Sequence, residues 1–271
     1  AATGIIRDIP VGTRTHKVGV IDIPSFYLDR DGQQAKEKDY GSTARDVAKI
    51  LKDFKSQGVQ NLVIDLRENG GGSLDQAVKL TGLFLPVGPV VQIRDRKGNV
   101  EVLRDEDPST VWDGPVVVLT SEFSASASEI FAAALQDYRR GVVVGSKSTH
   151  GKGSVQQILG LNRFLSTIGQ HNQRDQGGAI KFTSHMFFRV NGESTQIKGV
   201  KADIPLPSPF DGLKSKEGDL EYPLAWNTIV PVPHKENPSN LDMNALRTAS
   251  RARVNQDPEF TFLRDELAKR D

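Results

Sequence analysis

Four serines, Ser121, Ser124, Ser126 and Ser128, crowd the start of the stretch SEFSASASEIFAAALQDY, residues 121 to 138. A hydroxyl placed just before a helix can do one of two things. In the first, Ser126-x-x-Glu129 is a capping box: the serine oxygen takes a backbone N–H of the first turn while the glutamate reaches back. Ser124 and Ser128 admit the same reading. In the second, the hydroxyl is a nucleophile. The apolar run PVVVLT (115–120) ahead of it reads as a buried strand. A strand, a turn and a helix leave unpaired N–H groups and the positive end of the helix dipole beside the serine. An oxyanion can be held there if a second donor comes from elsewhere. The glycines Gly70, Gly71 and Gly72 of ENGGGS follow another strand, NLVIDL, and are suited to that task. Bare backbone lets a reacting group approach closely, although three glycines also make an ordinary tight turn.

A nucleophilic serine needs a base. None of the five histidines (His16, His150, His171, His185, His234) sits in a recognisable triad pattern, whereas Lys152 stands between two glycines in THGKGS. A lysine packed on bare backbone can lose its hydration, and burial lowers its pKa toward that of a working base. The plain alternative is a solvated surface lysine. A phosphate loop fails on spacing: five residues separate Gly145 from Gly151, and Gly153 stands where a magnesium-binding hydroxyl belongs. The triple glycine likewise misses the dinucleotide pattern. With no cysteine in the chain, disulfides, thiolate catalysis and cysteine-based metal sites are excluded.

The segments that must position these residues alternate in type. From Lys17 to Pro207, strand-like and helix-like stretches follow one another, as in an α/β domain. KVGVIDI (17–23), NLVIDL (61–66), PVVVLT (115–120) and GVVVGS (141–146) are expected strands. Val47, Ile50, Leu51 and Phe54 recur at helical spacing, with Thr43 and Asp46 as an expected cap and Gly58 as the stop. LDQAVKLTGLFL predicts a helix ending before Pro86, and PVVQIRD with VEVLRD predicts a hairpin. A second hairpin is expected where AIKFTSHMFFRV turns at Asn191-Gly192 into STQIKGV, after a polar excursion at 169–178. Residues 1–207 thus form an expected catalytic core. Residues 208–271 form an extension: an irregular arm, then helix broken near Pro258.

A net charge of +1 provides no field for nucleic acid, and no apolar run approaches the ~20 residues of a membrane span. The start, without Met or a signal-like segment, reads as that of a processed or excised chain.

Taken together, GVIDIPSFY, VIDLRENGGG, FSASASEIFAAALQDY, VVVGS…THGKGSVQQ and FFRVNGESTQIKGVKADI resemble the tail-specific, or carboxyl-terminal processing, proteases, in their longer periplasmic bacterial branch. The resemblance implies a crotonase- and Clp-protease-like fold and a Ser–Lys dyad, with Ser126 as nucleophile, Lys152 as base and Gln156 orienting the lysine. It implies an oxyanion hole at Gly71 and the N–H of Ala127, with Gly72 adjacent, and supporting roles for Glu129, Asp137 and Thr149. It further implies no metal or organic cofactor, unstructured polypeptides with apolar carboxyl termini as substrates, and a periplasmic location; adaptors and oligomeric state stay open. Three departures stand out. Ser126 and Lys152 lie 26 positions apart, one more than is usual; His150 replaces an aromatic; and this chain has no room for the customary PDZ domain. Two other readings stay open: His150 as the base, or a binding module for apolar ligands on the same fold.

Overall fold

The computed structural model describes residues 1–162, 178–237 and 241–270. Two sheets organise the core. The first comprises β1 (Thr3–Val11), β2 (Arg14–Asp22), β3 (Asn61–Asp65), β6 (Val116–Thr120), β7 (Val142–Gly145) and the two-residue β10 (Ile204–Pro205), in the order β1-β2-β3-β6-β7-β10. Only β1 runs antiparallel; every other pairing is parallel. The second sheet is antiparallel, in the order β5-β4-β9-β8, from β4 (Gly88–Asp95), β5 (Val100–Asp105), β8 (Ser154–Gly160) and β9 (Ala179–Phe188). Helices α1 (Arg30–Gln34), α2 (Thr43–Ser56), α3 (Leu74–Gly82) and α4 (Ala127–Asp137) fill the connections, and α5 (Met243–Gln256) and α6 (Pro258–Ala268) close the chain.

The α/β expectation holds because the apolar runs are strands buried along one face, such as Leu62 and Ile64 of β3 and Val116 and Val118 of β6. Helix α4 is buried from Ala127 through Leu135. Its alanines let neighbouring elements approach closely, and Phe131 packs edge-on against Phe84 at 5.6 Å and tilted against Phe26 at 6.4 Å. Full burial of Phe131 contributes about 2–3 kcal/mol. That rigid helix carries the serine at its N-terminus.

Three expectations are corrected. The strand expected at 17–23 is β2, which begins at Arg14, and an unexpected strand β1, Thr3–Val11, pairs with it although it contains Asp8 and Pro10. An edge position tolerates both residues, because one side of the ladder is left to solvent. Thr43 and Asp46 do not cap α2. Ser42 is the N-cap and makes no side-chain bond to the helix, while Gln76 Oε1 from α3 accepts the Ala44 N–H at 3.1 Å. Thr43 Oγ1 accepts instead from Tyr27 N, and Asp46 accepts from the Tyr27 hydroxyl at 2.6 Å. Gly58 follows the C-cap Gln57 with φ +74°, as expected for a helix stop. Finally, the chain does turn at 190–193, but STQIKGV forms no strand; β9 pairs with β8 and β4. The buried side chains of Thr195 and Gln196 bond to the 152–153 loop and that of Ser194 to Phe187 O on β9, in place of a backbone ladder. His171 and residues 169–177 of the expected polar excursion lie outside the described residues.

Candidate active site

The nucleophile candidate sits at the carboxyl end of β6. Ser126 is the N-cap of α4 with φ 58° and ψ −113°, a left-handed conformation that costs an L-residue roughly 1–3 kcal/mol. Ser126 and Glu129 stand in capping-box geometry, with Glu129 Oε2 accepting the Ser126 N–H at 2.8 Å and no hydrogen bond of ordinary geometry from the half-buried Ser126 hydroxyl to the first turn. The neighbouring serines do have structural partners: Ser124 Oγ donates to Leu66 O and Ser128 Oγ donates to Asn69 O, at 2.7 and 2.8 Å.

Glu129 joins the two loops that matter most. Its wholly buried carboxylate accepts from Ser126 N, from Thr149 Oγ1 at 2.5 Å, from Gly151 N at 2.8 Å and from Lys152 N at 3.0 Å. Ser126 N and Lys152 N share the same oxygen, so their separation cannot exceed those two bonds laid end to end. Burial pushes the Glu129 carboxyl up to about 7 against the pull of its four donors. Thr149 also bonds Val200 N, which anchors the lengthened loop on the other side.

Lys152 is half-buried, with Nζ donating to Gln156 Oε1 at 3.1 Å. Burial is the main cause that lowers its pKa, followed by the nearby charge of Lys181; Glu217 and Glu129 act the other way. No hydrogen bond joins Lys152 Nζ to Ser126 Oγ in this structure. The lysine lines a cavity of about 850 Å³ together with Gln156, Glu217, Met186, Leu220 and Tyr222. His150 Nδ1 is buried without a hydrogen bond, 4.0 Å from Glu217 Oε2, while the His150 backbone N–H donates to Ser124 O at 3.0 Å. Burial lowers the pKa of His150 as well.

The glycine loop closes over Ser126. A Cβ on Gly71, whose φ is +104°, would lie 2.8 Å from Ser126 Cβ and 3.1 Å from Ala127 N. The Gly71 N–H, however, donates to Asn69 Oδ1 at 2.8 Å. The backbone N–H groups of Ala127 and the exposed Gly72 have no such partner. Of the N–H groups expected for an oxyanion hole, that of Gly71 is thus engaged and those of Ala127 and Gly72 are free. Gly72 itself packs against Phe26, where a Cβ would come within 2.3 Å of the carbonyl oxygen.

Asp137 is not brought to this site. It ends α4, about 16.5 Å along the axis from Ser126, and pairs with Arg189 at 2.5 Å in a nearly buried ion pair. Three contributors escaped the sequence reading. Asn69 ties the two loops together, its carbonyl accepting from Ala125 N and Ser128 Oγ and its side chain donating to Ile23 O. Gln196 accepts from Gly153 N at 2.8 Å, and Glu217 accepts from Gln196 Nε2 at 2.9 Å. Buried polar residues isolated in the sequence give no such signal.

A serine at a positive-φ strand-to-helix turn, with free N–H groups and a half-buried lysine on the adjoining loop, is an arrangement suited to serine-hydrolase chemistry. Residues 17–206 match the model of peptidase family S41, and residues 210–271 match that of the C-terminal domain of tail specific protease. The chain belongs to peptidase family S41, a family of serine-type peptidases. It is 42% identical over 257 residues to the tail-specific protease of Haemophilus influenzae, covering 93% of this chain and 34% of that protein. It is 37% identical over 188 residues to the carboxy-terminal-processing protease of Bartonella bacilliformis, covering 66% of this chain and 40% of that one. The chain thus spans well under half the length of these curated relatives. Among solved structures, the photosystem II D1 C-terminal processing protease aligns at a TM-score of 0.59 with 25% identity, over 76% of this chain and 48% of that chain. Mature CPAF in complex with lactacystin shares the fold at 0.56 and 18% identity, over 75% and 50%.

Proposed function

We propose that the chain is the catalytic part of a periplasmic endopeptidase that cuts unstructured polypeptides near apolar carboxyl termini through a Ser126–Lys152 dyad. The observation that carries this reading is the single Glu129 carboxylate bonded to the backbone of both residues. Neutral Lys152 Nζ takes the Ser126 proton as Oγ attacks the scissile carbonyl. The negative oxygen is met by the N–H groups of Ala127 and of the Gly71–Gly72 segment. The C–N bond breaks as the lysine returns its proton to the leaving amine, and water then hydrolyses the acyl-enzyme by the same route. Lys152 must rotate from Gln156 toward Ser126, a side-chain movement with no cost to the backbone scaffold. The substrate preference and the compartment rest on the resemblance in sequence to the tail-specific proteases.

The test is mass spectrometry of an unfolded protein with an apolar tail after incubation with wild type, Ser126→Ala, Lys152→Ala and His150→Ala. Cleavage by wild type and His150→Ala alone is the expected result. Loss with His150→Ala would make the histidine the base. No cleavage by any form would favour the second reading, a binding module for apolar ligands, which the absence of a Ser126–Lys152 hydrogen bond supports.

A further inference from the structure

The arm beyond residue 207 reaches back into the site. The 3₁₀ turn Glu217–Asp219 docks on the loop that carries the lysine: Glu217 N donates to His150 O at 3.1 Å, and Lys216 Nζ donates to the carbonyl and hydroxyl of Ser148 at 3.0 and 2.8 Å. The Glu217 side chain, only 12% exposed, holds Gln196, which in turn holds Gly153 N on the far side of Lys152. One acidic residue from the extension therefore grips the base loop on both sides of the lysine, at 150 and at 153. Its carboxylate also borders the same cavity as the lysine.

We propose that Glu217 is a positioning residue for the base: it fixes the 150–153 loop and provides the counter-charge for Lys152 once the lysine has accepted the serine proton. This rests on the dyad reading above, in which Lys152 becomes an ammonium during acylation. A carboxylate lining the same cavity, outside direct ion-pair distance of Nζ, favours the charged form and so stabilises the proton-transfer product, while making neutral lysine scarcer at rest. The other charges around Lys152 are fixed by different elements. Lys181 on β9 opposes its protonation and Glu129 on α4 supports it. Lys216 and Asp219 flank His150 on the same arm. His185 on β9 and the β4–β5 turn, with Arg94, Asp95, Arg96 and Lys97, line the outer cavity.

Glu217→Gln separates the two roles, because its amide oxygen can still accept from Gln196 while the charge is gone. The side-chain NMR signal of Lys152, assigned by its disappearance in Lys152→Arg, is titrated in wild type, Glu217→Gln and Glu217→Asp. The expected midpoint falls by about half a unit or more in Glu217→Gln and returns toward wild type in Glu217→Asp. The acidic limb of kcat/KM against pH is expected to move down with it, with KM little changed. Glu217→Ala is expected to lose about tenfold or more in kcat as well, through loosening of the loop. A midpoint unmoved in a folded Glu217→Gln overturns the proposal, since a purely structural residue shifts melting and not the titration. A midpoint that moves in a chain that cleaves nothing overturns the dyad reading and leaves the placement of the charge intact.

Discussion

At the scale of single residues, Gly71 and Asp137 mark the two ends of what a family pattern conveys. Gly71 combines φ +104° with a Cβ position 2.7 Å from Ala125 O and 2.8 Å from Ser126 Cβ. A methyl group there has to displace the nucleophile or its turn. Gly71→Ala is therefore expected to reduce kcat/KM by about a hundredfold or more, at a stability cost of about 1–3 kcal/mol, measured by peptide cleavage and denaturant unfolding. Asp137 behaves differently. It and Arg189 are only 6% and 12% exposed in their side chains, so Asp137→Asn leaves a buried guanidinium without its carboxylate. The expected loss is about 3 kcal/mol of stability, with kcat and its pH profile unchanged, since the pair lies at the far end of α4. Kinetics run well below the lowered melting temperature check this.

At the scale of elements, the junction of α4 with the 149–152 loop is held by the Glu129 carboxylate. With this group's pKa raised to about 7 in the folded chain and near 4.5 in the unfolded one, the folded state binds the extra proton between those values. Stability from this group is complete below the lower value and is lost as pH rises through the upper one, about 3 kcal/mol across the window. Unfolding free energies measured from pH 4.5 to 7.5 are expected to show this decline in wild type, and Glu129→Gln to lack it. The same substitution replaces one of the two accepting oxygens with an amide donor, either the one shared by Ser126 N and Lys152 N or the one shared by Thr149 Oγ1 and Gly151 N. It is expected to lower kcat by about tenfold or more at neutral pH. The sequence showed Glu129 as half of a capping box. The structure adds that the same carboxylate accepts from Thr149 Oγ1, Gly151 N and Lys152 N.

At the scale of the whole molecule, the packing is uneven. Helix α4 is almost entirely buried, whereas α5 buries only Ser250 and α6 buries no residue. Helix α5 is tied to the core by Arg247 Nε, which donates to Asp203 O at 2.8 Å, while Arg270 just past α6 donates to Pro209 O within the extension itself, at 3.0 Å. Hydrogen exchange by mass spectrometry is expected to show α5 and α6 exchanging faster than α4. Arg247→Ala is expected to accelerate them further without touching α4. Protection of the 216–219 turn should instead follow the base loop, to which it is bonded.

The alternation of apolar runs with helical periodicity was enough to specify an α/β core, because strand and helix spacing are local properties of the chain. The serine turn, the glycine loop and the Gly-Lys-Gly segment were likewise visible, since each is a short contiguous pattern with a backbone requirement of its own. The sequence also led to errors where a local pattern met a stronger distant partner. STQIKGV was expected as the second strand of a hairpin but is loop, with Thr195 Oγ1 donating to Lys152 O and Gln196 Oε1 accepting from Gly153 N. Thr43 was drawn away from the α2 cap by Tyr27. What only the tertiary structure decided is how residues 69, 129, 152, 196 and 217 converge. Hydrogen bonds between buried side chains and distant backbone depend on the folded path of the chain, and no spacing along the sequence encodes that path.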